Sequence, residues 1–76
     1  MAAISYAKNN KNFMYFLEID GMKIPKQICE YLNMSFEEYI HTIQLCGGKY
    51  SSKYGWYLSN EENAMKCCVL LSLLKK

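Results

Sequence analysis

Between residues 25 and 48 the chain reads PKQICEYLNMSFEEYIHTIQLCGG, and its punctuation leaves little choice of structure. Pro25 has a preset φ and no N–H, which suits the first position of a helix. Ile28 and Leu32 follow at helical spacing with Cys29 beside them, and Asn33 tolerates the left-handed geometry that ends a helix. Ser35 opens a second helix. Glu38 stands three residues later, the S-x-x-E capping box in which each partner satisfies an orphan backbone donor. Phe36, Tyr39, Ile40 and Ile43 line one side of that helix, and Gly47-Gly48 stop it. Two short helices joined by a tight turn are predicted, near 26–32 and 36–46.

The flanks read as small hairpins and one more helix. Phe13 to Ile19 is the clearest strand, with Phe13, Tyr15, Leu17 and Ile19 on one face. Asp20-Gly21 is a strong hairpin signal, so Met22-Lys23-Ile24 is expected to return along it, giving a hairpin over 13–24. A second hairpin is expected over 49–58, where two β-prone arms flank a Ser/Lys/Gly turn. Ser59 with Glu62 repeats the capping-box pattern and opens a last helix near 60–74. In residues 1–12 the apolar patch Ala2-Ala3-Ile4 precedes the polar run Lys8 to Asn12. Ile4 and Tyr6 alternate as on a short strand, with a flexible segment the other reading. The fold class is a small single-domain α+β protein.

Seventy-six residues bury only about 60–65% of their unfolded surface, so the core is limited. The expected core is Phe16 or its neighbour Leu17, with Ile28, Leu32, Ile40, Ile43, Trp56, Cys68 and Leu71. The last helix has more apolar surface than such a core can hide. Ala64, Cys67, Cys68, Leu71 and Leu74 form one stripe, and Met65, Val69 and Leu73 form a second, roughly opposite. The second stripe requires a second copy, a protein partner, or residues 1–12 folded back over it. Cys29, Cys46, Cys67 and Cys68 sit in apolar helical contexts with no C-x-x-C spacing. They read as buried free thiols, with neither disulfides nor a metal. No apolar leader or membrane-length run is present, which points to the cytoplasm.

The helix pair with its following hairpin resembles a winged helix-turn-helix domain from Pro25 to about Leu58, half of the chain. Cys29 stands at the small residue packed between the helices, and Leu32 at the core position before the turn. Asn33 replaces the customary glycine, Met34 and Ser35 match the apolar and capping positions, and 49–58 is the wing. The resemblance implies a second helix whose first turns enter the major groove of DNA, although many proteins use this scaffold only to bind other proteins. For the DNA reading the candidates are His41, Thr42 and Gln44 on that helix and Lys49, Lys53 and Tyr54 on the wing.

Charge argues the other way. The chain carries nine lysines and no arginine, for a net of +2. Glu37 and Glu38 occupy the leading turn of the second helix, where phosphates would repel them. His41, the one histidine, has Glu37 four residues before it and reads as a surface pair. No acid–base couple, nucleophile–base pair or phosphate-binding glycine loop is present, so neither an enzyme, a cofactor nor a small-molecule substrate is expected. The preferred expectation is a protein-binding regulator or inhibitor that acts by occupying a surface, with a partner or a second copy on Met65, Val69, Leu73, Tyr54, Trp56 and Tyr57. Free-standing domains of this size are common among phage and mobile-element proteins, including inhibitors of host defence nucleases, for which the host cytoplasm would be the site of action. The alternative is a DNA-binding transcriptional regulator of winged-helix type.

Overall fold

The strand expected over residues 13–19 forms, but its partner precedes it in the chain. In the computed structural model, which describes residues 4–9 and 11–74, β1 (Ile4–Asn9) and β2 (Met14–Ile19) pair antiparallel, from Ile4 opposite Ile19 to Asn9 opposite Met14. The Asp20-Gly21 turn also forms, with φ of 50° and 81° at its two central residues, the combination that a two-residue hairpin turn requires. Its return arm is a single bridge, closed by Ile19 N–H to Met22 O at 3.0 Å and Met22 N–H to Ile19 O at 2.8 Å. The 13–24 hairpin is therefore corrected to a 4–19 hairpin followed by a turn. Pro25 begins a helix too soon for a longer return arm. Ala2, Ala3 and Asn10 lie outside the described residues.

Helix α1 (Pro25–Leu32) starts on its proline and ends at Asn33, which adopts φ 55° and ψ 48°. Ser35 then caps α2 (Phe36–Leu45). The Glu38 N–H donates to Ser35 Oγ at 3.1 Å and the Ser35 N–H to Glu38 Oε1 at 3.4 Å, completing the capping box. After Gly48 come β3 (Lys49–Ser51) and β4 (Gly55–Tyr57), paired as the second hairpin with Tyr50 opposite Trp56. Helix α3 (Glu61–Leu74) begins one residue later than the serine pattern implied. Its cap is Asn60, whose Oδ1 accepts from the Asn63 N–H at 2.8 Å, so Ser59 and Glu62 do not form the expected box.

The described residues make an α+β domain of three helices and two two-stranded antiparallel sheets. One core joins them: Leu17 and Ile19 from β2, Ile28 and Leu32 from α1, Tyr39 and Ile43 from α2, Leu58, and Ala64, Cys67 and Leu71 from α3. Leu17 is the inward residue and Phe16 its outward neighbour. Ile40, Trp56 and Cys68, expected inside, are half-buried, and Cys67 takes the central place on α3. Phe13 does not share the inward face. Its φ is 56°, and its exposed ring lies 5.4 Å from Lys8 Nζ.

The reversal after α2 depends on Gly48, whose N–H donates to the Ile43 carbonyl at 2.8 Å. A Cβ there would meet the Ile43 Cγ2 and, at 2.7 Å, the Ile43 carbonyl oxygen. Gly48→Ala is predicted to cost about 1–3 kcal/mol by overpacking, and Ser35→Ala about 1 kcal/mol through loss of the cap. Urea unfolding of both variants checks this. A Gly48→Ala protein with the parental midpoint would contradict the close approach.

Candidate functional site

Helix α3 is apolar nearly all round, and the fold uses only part of that circumference. Ala64, Cys67 and Leu71 recur at i, i+3 and i+7 and point into the core, while Ile4 and Tyr6 of β1 pack against the same buried cluster. Residues 4–9 thus do fold back as a strand, yet they do not cover the second stripe. Met65 is 54% exposed, Val69 59% and Leu73 76%. Leu70 and Leu74 extend this face, and Leu45 at the end of α2 joins it at 69% exposure. A groove of about 660 Å³ runs between α2 and α3, lined by Leu45, Cys46, Met65, Val69 and Leu70, with Glu61, Glu62 and Lys66 at its edge. The Lys66–Glu62 ion pair at 3.9 Å is exposed and adds little.

A second candidate face lies where α2 meets the β3–β4 hairpin. Phe36, Ile40 and Trp56 line an open cleft with Glu37, Glu38, His41 and Gln44. Trp56 is half-buried and held edge-on by Tyr50, with ring centroids 5.4 Å apart. Tyr54 stacks in a tilted geometry on Phe16 at 6.3 Å, and Lys53 Nζ stands 5.3 Å from the Tyr54 ring. Tyr57 is half-buried opposite Lys49.

Of the residues named for DNA, the cleft gathers His41 and Gln44, both exposed, whereas neither Lys49 nor Lys53 lines it. Thr42 is withdrawn altogether. It is 4% exposed, and its hydroxyl donates to the Glu38 carbonyl at 2.9 Å, so it presents nothing to a groove. The Glu37–His41 pair does not form either, since Lys66–Glu62 is the one ion pair among the described residues. Sequence reasoning missed Leu45 and Leu70, and it placed Leu74 on the stripe of Cys67 and Leu71, whereas Leu74 at the helix end is 48% exposed. For Leu45 a signal existed: two residues after inward-facing Ile43, it lies roughly opposite on the helix.

No protein-family model matches the chain, and neither does any curated protein or solved structure. No helix of the described residues is long and apolar enough to cross a membrane.

The thiols are unbridged, and Cys29, Cys46 and Cys67 are buried. Burial pushes the Cys68 thiol up to about 11 from an ordinary 9.0. Burial, reinforced by the Cys46 thiol beside it, raises Cys67 well above that ordinary value. Burial likewise raises the Tyr39 phenol. Each group keeps its proton longer when folded than when unfolded. Above about pH 9 the unfolded chain therefore binds fewer protons, and stability falls as the pH climbs. Thermal unfolding is predicted to show a midpoint that is steady below about pH 9 and drops progressively towards about pH 11. A flat profile across that window would contradict burial of these thiols.

Proposed function

We propose that this chain is a small protein-binding regulator or inhibitor that acts by occupying a partner's surface. The observation that carries the reading is the uncovered face of Met65, Val69, Leu70, Leu73 and Leu74 on α3, continued by Leu45. Soluble monomers rarely leave large contiguous apolar patches in water, and such patches mark interaction sites. Covering a single Leu or Val yields about 1.5–3 kcal/mol, so a few of these side chains suffice to drive association.

Electrostatics support a protein over a duplex. Glu37 and Glu38 are exposed on the leading turn of α2, and phosphates approaching that turn would meet two carboxylates. The hairpin lysines do not line the α2 cleft. The second copy of the chain and a foreign protein are the two occupants that the α3 face can take.

The test is Val69→Glu. Because Val69 is exposed, the isolated domain should keep its stability within about 0.5 kcal/mol. The parent is predicted to bind a hydrophobic dye on this face, or to self-associate in sedimentation as concentration rises, and the variant to lose that property. Neither protein should shift random duplex DNA at low salt. Unfolding of the variant would assign Val69 to the core, and a salt-dependent DNA shift by the parent would favour the transcriptional-regulator alternative.

A further inference from the structure

The cleft between α2 and the β3–β4 hairpin differs in chemistry from the α3 face. Its space is about 570 Å³, open to solvent, with Phe36, Ile40 and Trp56 as its apolar part. Phe36 is half exposed although it opens a helix, and the Trp56 indole is fixed edge-on by Tyr50. Glu37, Glu38, His41 and Gln44 complete the lining, and no lysine among the described residues enters it. Glu38 is engaged in the cap, where it accepts from the Ser35 backbone. Glu37 is exposed and forms no ion pair with a described residue. Helix capping explains Glu38, and the helix dipole suits Glu37. Neither explains why a half-exposed phenylalanine and the single tryptophan stand beside them.

We propose that this cleft binds a cationic side chain, an arginine foremost, carried by an extended or loop segment of a partner protein. A guanidinium is planar and weakly hydrated, so it can lie against the indole of Trp56 while its N–H fork reaches the Glu37 carboxylate. Phe36 and Ile40 receive the aliphatic stem of that side chain, and Gln44 offers both a donor and an acceptor to the backbone of the segment. A lysine satisfies the charge but loses the planar stack, and binds more weakly. Nucleic acid brings phosphates against two carboxylates and is the disfavoured occupant. The site is separate from the α3 face, and its test can succeed or fail independently of that reading.

Trp56 is the chain's only tryptophan, so indole emission reports the cleft directly. The probe is an acetylated arginine–glycine repeat peptide titrated into the full chain at low salt. The expected result is a saturable emission change that a lysine–glycine peptide reproduces at higher concentration and a glutamate–glycine peptide does not. Glu37→Lys is expected to weaken binding by about tenfold or more, and Glu37→Gln by less, each with unchanged circular dichroism. Val69→Glu should bind the peptide as the parent does. An emission response that is absent up to millimolar peptide, or undiminished in Glu37→Lys, would overturn the proposal. A response to oligothymidine without one to the arginine peptide would assign the cleft to nucleic acid instead.

Discussion

Two backbone hydrogen bonds tie the first hairpin to the segment that follows the second: Tyr15 N–H to Leu58 O at 2.8 Å, and Leu58 N–H to Tyr15 O at 2.9 Å. They clasp β2 to the chain just beyond β4, at a residue that is itself almost fully buried. Each such bond contributes only about 1 kcal/mol net, but a buried peptide group left unpaired would cost more. The clasp also sets the direction of the last helix. Asn60 caps α3 two residues later, so the helix is launched across β1 and β2 with Ala64, Cys67 and Leu71 inward.

The limited size of the domain leaves part of that helix uncovered. Among the described residues β1, β2 and α2 make the main packing on α3, and they meet its inward arc. Its outer arc is still a good helix former, rich in Leu, Met, Lys and Glu, so the helix persists without burying that side. Apolar side chains that the fold does not need remain in a row, next to Leu45. Such a surface is stable enough to exist alone and costly enough in water to favour a partner.

Features governed by local chemistry were legible in the sequence. Ser35 and Glu38 form their box, Asn33 takes the left-handed cap, and Asp20-Gly21 makes the expected turn, since each depends on neighbours within a few residues. Choices between distant partners were not. Ile4 and Tyr6 win the pairing with Ile19 and Leu17 because the return arm after Gly21 meets Pro25 first. The α3 cap moves from Ser59 to Asn60, an equally competent acceptor one residue on. Cys67 replaces Cys68 at the centre because only the crossing of α3 over the hairpin decides which side of the stripe is innermost. In the same way, the second α3 stripe was legible as apolar surface in excess of a small core, but its continuation through Leu45 depends on how α2 and α3 meet.

The division of α3 into a core face and the proposed docking face rests on a contrast between two leucines only two residues apart, Leu71 fully buried and Leu73 largely exposed. Urea unfolding of Leu71→Ala and Leu73→Ala, measured at a protein concentration low enough to avoid association, compares them directly. The account predicts a loss of about 2–5 kcal/mol for Leu71→Ala and a change within about 0.5 kcal/mol for Leu73→Ala. Equal losses at the two positions would show that both faces belong to the core and would remove the docking surface.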